Sequence, residues 1–185
     1  MQKAVFLDRD GVLTIEKGFL HSAEEMALYE YGRECVVKLH EAGYLVFVIT
    51  NQSGVSRGYF TEDELNKMNA RLIDESGVDA VYYCPHHVDG IVKKYAVPCD
   101  CRKPNTGLIE KASKDYCIDL KGSYFIGDRE CDIQTGKNAG IKTILVRTGY
   151  GAEEEKRNIH PDYVVDDLKA ATDICINNIM EGESR

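Results

Sequence analysis

Long apolar runs are scarce in this 185-residue sequence. No run approaches the roughly eighteen apolar residues that a membrane-spanning helix needs, so we expect no membrane contact. The N-terminal stretch MQKAVFLDRDG becomes charged after a short apolar run and lacks the pattern of a secretory signal peptide. These features predict a cytoplasmic protein.

Positive charge is also scarce. The formal net charge is -8 and the isoelectric point is near 5.2. A surface that binds nucleic acid needs clustered lysine and arginine, which this sequence does not show, so we expect no nucleic-acid partner. A small anionic substrate needs only a few cations in one pocket and stays compatible with this composition.

Repeats, low-complexity tracts and linkers are missing as well, which predicts a single domain over residues 1–185. Only the last residues, EGESR (181–185), have the composition of a disordered tail. No long exposed apolar stripe demands a partner, which favours a monomer.

The sequence does contain short apolar runs that alternate with amphipathic segments. The runs lack the polar alternation of half-exposed strands, which is typical of strands buried on both faces of a parallel sheet. The first amphipathic segment places Val36, Val37 and His40 at helical spacing, and Thr61 and Glu64 occupy capping-box positions in the second. Strands are predicted at 4–7, 45–50, 80–83, 123–127, 142–146 and 162–167, and helices at 32–43, 61–77, 106–117, 129–140 and 167–180.

This alternation predicts a three-layer, Rossmann-like α/β fold with a parallel sheet and helices on both faces. In such sheets the binding crevice lies outside the carboxyl ends of the strands. The residues that directly follow each apolar run are therefore the candidates for a functional site.

Three polar clusters follow three predicted strands: Asp8-Arg9-Asp10-Gly11, residues 50–54, and Asp128 with Asp132 four residues on. Asp8 and Asp10 project to the same side of an extended chain, and Gly11 permits a sharp turn. These carboxylates would repel Asp128 unless a cation neutralised them, and oxygen ligands suit Mg²⁺. The alternative is that DRDG is only a polar turn.

Seven cysteines leave an odd number for pairing, and four of them lie scattered in helix-like segments. In a reducing compartment, the clustering of Cys84, Cys99 and Cys101 with histidine favours a metal over a disulfide. Three thiolates and one imidazole, from His86 or from its rival His87, suit a closed, tetrahedral Zn²⁺ site. The alternative is that Cys84 merely ends a strand and the CDC triplet is incidental.

Four stretches resemble, in order and spacing, the motifs of the haloacid dehalogenase superfamily of phosphotransferases. They are FLDRDGV (6–12), VITNQSGV (48–55), CRKP (101–104) and GDRECD (127–132), and the match spans nearly the whole chain. CPHH and CDCRKP together with TNQSG resemble the small zinc-containing branch that holds D-glycero-D-manno-heptose-1,7-bisphosphate 7-phosphatases and histidinol phosphatases.

The resemblance implies a Mg²⁺-dependent phosphatase that works through an aspartyl-phosphate. Asp8 would be the nucleophile and Asp10 the general acid and base. Thr50 and Lys103 would stabilise the phosphoryl group. Asp8, the main-chain carbonyl of Asp10, and Asp128 would hold Mg²⁺.

The resemblance also implies an open site, because the segments between the motifs leave no room for the large cap domain that many superfamily members carry. The zinc loop (84–104) and residues 16–19 would form its rim, and the zinc would position Arg102 and Lys103 without performing chemistry. The predicted substrate-binding residues are Glu16, Lys17, Gly18, Phe19, Asn51, Gln52, Ser53, Arg102 and Arg129.

For the zinc site the family pattern favours the ligand set Cys84, His86, Cys99 and Cys101. For the substrate it favours D-glycero-D-manno-heptose 1,7-bisphosphate, attacked at the 7-phosphate. Histidinol phosphate is the alternative, because the catalytic core would look the same. A catalytically silent, zinc-stabilised binding protein is an alternative of another class, since a fold alone does not imply activity.

Overall fold

The computed structural model describes residues 1–20 and 22–182, so residues 183–185 of the predicted tail lie outside it. Six parallel strands form one sheet with the order β3-β2-β1-β4-β5-β6. The strands are β1 (Ala4–Leu7), β2 (Leu45–Asn51), β3 (Ala80–Cys84), β4 (Tyr124–Gly127), β5 (Lys142–Val146) and β6 (Tyr163–Val165).

Helices connect the strands, and every predicted helix is present. The second helix begins with the predicted capping box, in which the Thr61 hydroxyl accepts from the Glu64 N–H and the Glu64 carboxylate accepts from the Thr61 N–H. The helices are α1 (Gly32–Glu41), α2 (Glu62–Ser76), α3 (Gly107–Tyr116), α4 (Glu130–Asn138), α5 (Gly151–Glu154) and α6 (Leu168–Gly182). Among the described residues, the short α5 and two 3-10 helices (Ala23–Glu25 and Leu120–Gly122) were not predicted.

The central strand β1 shows why these runs are strands buried on both faces. Val5 and Leu7 belong to an apolar cluster shared with α1, α2 and α6. Ala4 and Phe6 point the other way, into a cluster shared with α3. Successive side chains of a strand alternate between the two faces, so a wholly apolar run implies helices on both sides. The three-layer α/β prediction is confirmed.

One detail of the helix prediction is wrong. The buried face of α1 consists of Cys35, Val36 and Leu39, whereas Val37 is 45% exposed. Val36 and Val37 are adjacent, so they point about 100° apart around the helix axis and cannot both face the sheet. Among the described residues, no helix has the length and apolar character needed to cross a lipid bilayer.

Candidate active site

A cleft of about 270 Å³ opens at the carboxyl ends of β1, β2 and β4. Asp8 follows β1, Thr50 lies near the end of β2, and Asp128 follows β4. The sequence-predicted residues that line the cleft are Asp8, Asp10, Glu16, Gly18, Phe19, Thr50, Asn51, Gln52, Ser53, Arg102, Lys103 and Arg129. Leu20, Gly54, Phe60, Cys131 and Tyr150 also line it and were not predicted.

A buried lysine joins two of the acidic groups below the cleft. The Lys103 Nζ lies 2.8 Å from Asp8 Oδ1 and 2.6 Å from Asp132 Oδ1, and it donates to the Ile49 carbonyl at 2.8 Å. Burial lowers the pKa of Lys103, but the charges of Asp132 and Asp8 outweigh burial and raise it. Lys103 therefore stays cationic, and Asp132, which the sequence placed in the third polar cluster without a role, shares its charge with Asp8.

Three buried carboxylates meet at this point. One oxygen from each of Asp8, Asp128 and Asp132 lies within 4.8 Å of the others. Burial, with the negative charges of Asp8 and Asp132, raises the pKa of Asp128 to about 8. Burial also raises the pKa of Asp8 to about 7, although Lys103 opposes the rise. Lys103 is the lysine that contacts two of these three carboxylates, so negative charge exceeds positive charge when all three are ionised.

The surroundings of Asp128 fit a hard divalent cation. Its Oδ2 accepts the Tyr150 N–H at 2.8 Å, while its Oδ1 is buried without a hydrogen-bond partner. Gly11, at φ +83°, passes so close to this carboxylate that a side chain there would collide with it. An unpartnered, buried carboxylate oxygen is costly in a folded protein unless a cation engages it. The oxygen donor set suits Mg²⁺.

Asp10 sits at the cleft wall with its carboxylate held from inside the protein. Oδ1 accepts from Arg9 Nε at 3.0 Å and from the Thr14 hydroxyl at 3.2 Å. Oδ2 accepts from the Gln52 amide at 2.9 Å. Its side chain is 19% exposed, so it can still meet a group bound in the cleft.

Asn51 fixes the main chain of Lys103. Its Nδ2 donates to the Lys103 carbonyl at 3.2 Å, and its Oδ1 accepts the Lys103 N–H at 3.0 Å. Arg102 donates from Nη1 to the His86 carbonyl at 3.1 Å and keeps other N–H groups for the cleft. The amide of Asn51 thus holds the Lys103 main chain, and because Nδ2 carries a second hydrogen and Asn51 lines the cleft, the donor role toward substrate stays a prediction.

Three of the four predicted rim residues in 16–19 line the cleft. The Gly18 N–H donates to Glu16 Oε1 at 2.6 Å, which turns this segment over the cleft mouth. Phe19 is 48% exposed there. Lys17 is not among the lining residues, and its Nζ donates to the Glu25 carbonyl at 2.9 Å. The structure therefore does not bring Lys17 to the site.

Arg129 also lines the cleft and stacks on an aromatic ring. Its guanidinium carbon is 3.8 Å from the centroid of the Tyr150 ring. Such stacking holds an arginine in place while leaving its N–H edge free for an anion. Burial lowers the pKa of Arg129, but the charge of Asp128 outweighs burial and raises it.

Beside the cleft, Cys84 at the end of β3 and three side chains of the following loop converge as predicted. Cys99 Sγ lies 3.5 Å from Cys84 Sγ and 3.3 Å from Cys101 Sγ, and His86 Nδ1 lies 3.3 Å from Cys101 Sγ. His87 is outside this group and contacts Arg57 instead. The four donor atoms lie within 4.8 Å of one another.

These separations fit one tetrahedral metal ion and exclude a disulfide. Ligands at the usual zinc distances stand roughly 3.5–3.8 Å apart, whereas disulfide sulfurs are about 2.05 Å apart. A hydrogen bond with the Cys84 thiol lowers the pKa of Cys101 to about 5, so a thiolate forms readily in the group. Cys84 pairs with Asn51 in the sheet, which ties the group to the cleft.

Sequence comparison places this geometry among known proteins. Residues 100–171 match the HAD-hydrolase-like family. The chain is 42% identical over 165 residues to D-glycero-alpha-D-manno-heptose-1,7-bisphosphate 7-phosphatase of Photorhabdus laumondii subsp. laumondii, covering 84% of this chain and 88% of the relative. It is 39% identical over 174 residues to D-glycero-beta-D-manno-heptose-1,7-bisphosphate 7-phosphatase of Pasteurella multocida, covering 91% and 94%.

A solved structure agrees. The D,D-heptose 1,7-bisphosphate phosphatase of B. bronchiseptica, complexed with magnesium and phosphate, superposes with a TM-score of 0.83 at 31% identity. The alignment covers 95% of this chain and 99% of that one. This chain therefore belongs to the D-glycero-D-manno-heptose-1,7-bisphosphate 7-phosphatase family of HAD-like hydrolases.

Proposed function

We propose that this chain hydrolyses the 7-phosphate of D-glycero-D-manno-heptose 1,7-bisphosphate through an aspartyl-phosphate. The observation that carries the proposal is the Asp8–Lys103–Asp132 group at the base of the cleft, beside the unpartnered Asp128 oxygen. It combines a carboxylate nucleophile with positive charge where a phosphate would bind. The names of the relatives supply the substrate.

Asp8 and Asp10 divide the reaction into two displacements. An Asp8 oxygen attacks phosphorus and forms an acyl phosphate, while the bond from phosphorus to the sugar oxygen breaks. Asp10 gives its proton to that departing oxygen and then takes a proton from the water that attacks the acyl phosphate. The second displacement releases inorganic phosphate and restores the Asp8 carboxylate.

Lys103 and Thr50 lower the barrier by electrostatic stabilisation. Lys103 is held rigidly by three oxygen contacts, so its charge faces the phosphoryl group without rearrangement during the reaction. Thr50 is 1% exposed and lies near the end of β2, where it lines the cleft together with Lys103. Arg102 and Arg129 contact further anionic or hydroxyl groups of the substrate.

Asp8, the main-chain carbonyl of Asp10, and Asp128 would hold Mg²⁺. When bound, the ion screens the Asp8 carboxylate from the dianionic phosphate and neutralises charge on the transferring oxygens. Cys84, His86, Cys99 and Cys101 would hold Zn²⁺ as a closed structural site, with no position open for substrate.

Acidic residues with raised pKa values make the magnesium-free protein sensitive to pH. Between the ordinary aspartate pKa of 3.8 and the value of about 8 for Asp128, the folded state keeps a proton that the unfolded chain releases. The folded state therefore loses stability as pH rises through this window. We expect Asp128→Asn to raise the Tm measured without magnesium at pH 8, and to change it little at pH 4.

Added Mg²⁺ is expected to raise the Tm of the wild-type protein more at pH 8 than at pH 6, because protons compete for the same oxygens. In Asp128→Asn the increase should nearly disappear. Thermal melts monitored by circular dichroism measure both effects. An equal magnesium response in the two proteins would show that Asp128 is not a ligand.

Histidinol phosphate is the alternative substrate, because the groups that attack phosphorus would be the same. Parallel kinetics on heptose 1,7-bisphosphate and histidinol phosphate decide between them, and we expect kcat/KM to be higher for the heptose. A higher value for histidinol phosphate would overturn the substrate assignment. Absence of turnover on every phosphate monoester would favour the binding-protein alternative.

The setting proposed for the enzyme is the cytoplasm, where it works as a monomer of one catalytic domain (1–185). None of the seven cysteines forms a disulfide in the structure, which agrees with a reducing compartment. The described chain itself brings the two catalytic aspartates and three cationic side chains to the cleft, so the site needs no residue from a second copy. These residues are Asp8, Asp10, Arg102, Lys103 and Arg129.

A further inference from the structure

Arg9, between the two aspartates of the first polar cluster, points into the protein. It is 2% exposed, and its Nη2 lies 2.9 Å from Asp10 Oδ2 while its Nε donates to both oxygens of that carboxylate. A buried guanidinium is costly unless it is paired. The side chains that pair with Arg9 therefore indicate its role in the site.

Gln52 closes a ring with Arg9 and Asp10. Its Oε1 accepts from Arg9 Nη2 at 3.0 Å, and its Nε2 donates to Asp10 Oδ2 at 2.9 Å and to Thr50 Oγ1 at 2.8 Å. Arginine has donors only, so the oxygen of the Gln52 amide must face Arg9. This leaves the amide nitrogen, with its two hydrogens, for Asp10 and Thr50.

The direction of these hydrogen bonds fixes the orientation of both the Thr50 hydroxyl and the Asp10 carboxylate. A hydroxyl has one hydrogen, and Thr50 accepts from Gln52 through a lone pair, so its own hydrogen stays free for an acceptor in the cleft. On Asp10, bonds from both Arg9 and Gln52 fix the plane of the carboxylate. Both polar atoms of Gln52 are engaged within the protein, although a substrate contact was expected for it.

We propose that Arg9 and Gln52 are positioning residues that aim the Asp10 carboxylate and the Thr50 hydroxyl at a bound phosphate ester. The inference rests on the phosphatase function proposed above, in which Asp10 protonates the leaving group. Neither residue touches the reacting atoms. Their effect should therefore depend on how much the leaving group needs a proton.

Gln52→Glu is the sharpest test because it keeps the shape and the acceptor toward Arg9, loses both donated hydrogen bonds, and places a second carboxylate against Asp10 Oδ2, so that the Asp10 carboxylate is no longer held in its plane. The assay compares kcat/KM on p-nitrophenyl phosphate, whose leaving group departs without protonation, with kcat/KM on a primary alkyl phosphate, either ribose 5-phosphate or the heptose bisphosphate. We expect the ratio of alkyl to aryl activity to fall by at least about tenfold. Gln134→Glu, an exposed glutamine on α4, is the matched control and should leave the ratio unchanged.

Arg9→Lys provides a second variant, which keeps the positive charge but loses the planar fork. It should lower the same ratio in the same direction, with wild-type circular dichroism. An equal loss on both substrates in Gln52→Glu would show that Gln52 does not position Asp10, and no loss on either substrate would overturn the positioning role altogether. Wild-type turnover of the heptose bisphosphate is measured separately, and its absence would contradict the proposed substrate while the ratio on the simple phosphates still tests Arg9 and Gln52.

Discussion

Asp8→Asn is expected to abolish phosphate release, lowering kcat by about 10⁴-fold or more. An amide oxygen is a poor nucleophile and cannot form the acyl phosphate. The substitution keeps the shape of the side chain and its acceptor for the Arg9 N–H, which lies 2.7 Å from Oδ1. Activity on sugar phosphates and wild-type secondary structure are the two measurements.

The stability of this variant separates a lost nucleophile from a lost fold. Asp8 is one of three buried carboxylates that share Lys103, and burial and repulsion raise its pKa to about 7. Removing its charge relieves repulsion, so we expect the Tm without magnesium at pH 8 to equal or exceed that of the wild type. Asp173→Asn, on the exposed side of α6, is the matched control and should keep full activity.

The covalent intermediate supplies an independent check. Asp10→Asn lacks the base for the second displacement, so with p-nitrophenyl phosphate it should accumulate the phosphorylated protein. Mass spectrometry after acid quenching should find one phosphoryl group on the peptide that contains Asp8. Turnover that survives Asp8→Asn, or a phosphoryl group on another residue, would exclude the proposed nucleophile.

The sheet was predictable because its strands are short and wholly apolar, a pattern that few other structures produce. The helix faces were less predictable. Val37 was predicted on one face of α1 with Val36, yet it is 45% exposed, and the apolar Ile73 of α2 is 39% exposed. Apolar residues occur at helix margins in most proteins, so composition alone does not fix the buried arc.

The convergence of the site was predictable for a different reason. Asp8, Thr50 and Asp128 each follow a strand, and parallel strands end at one edge of the sheet. The partners of these groups were not predictable. Arginine is seldom fully buried, so the sequence gives no reason to expect a buried Arg9. The contacts of Asn51 depend on a loop that returns to the site 52 positions later in the chain.

We propose that the zinc loop (84–104) sets the path by which the chain returns to the site. Between 86 and 100 no residue is buried, and Val88 and Ile91 are 63% and 77% exposed. A segment that buries so little apolar surface cannot offset the entropy lost on ordering. Tyr95 packs on the main core and the Val92 N–H donates to the Ser56 carbonyl, and we propose that a metal held by the Cys84, His86, Cys99 and Cys101 group is the further constraint that brings Arg102 and Lys103 to the cleft.

Cys99→Ser is expected to remove zinc and to lower kcat/KM by about 10²-fold or more, although Cys99 touches no reacting group. Without the metal the loop is free to leave the β3 edge, and Lys103 loses its fixed position between Asp8 and Asp132. Protein purified without added metal should contain about one zinc per wild-type chain and much less in the variant. Cys117→Ser, an exposed cysteine at the end of α3, is the matched control.

The order in which metals are returned separates the two sites. Wild-type protein stripped of both metals should regain full activity only when zinc and magnesium are both restored, because magnesium alone leaves the loop unanchored. In Cys99→Ser, added magnesium should still raise the Tm at pH 8, since Asp8 and Asp128 are intact. Full activity in zinc-free protein supplied with magnesium would show that the loop holds Lys103 without metal, and the proposed structural role of zinc would then be wrong.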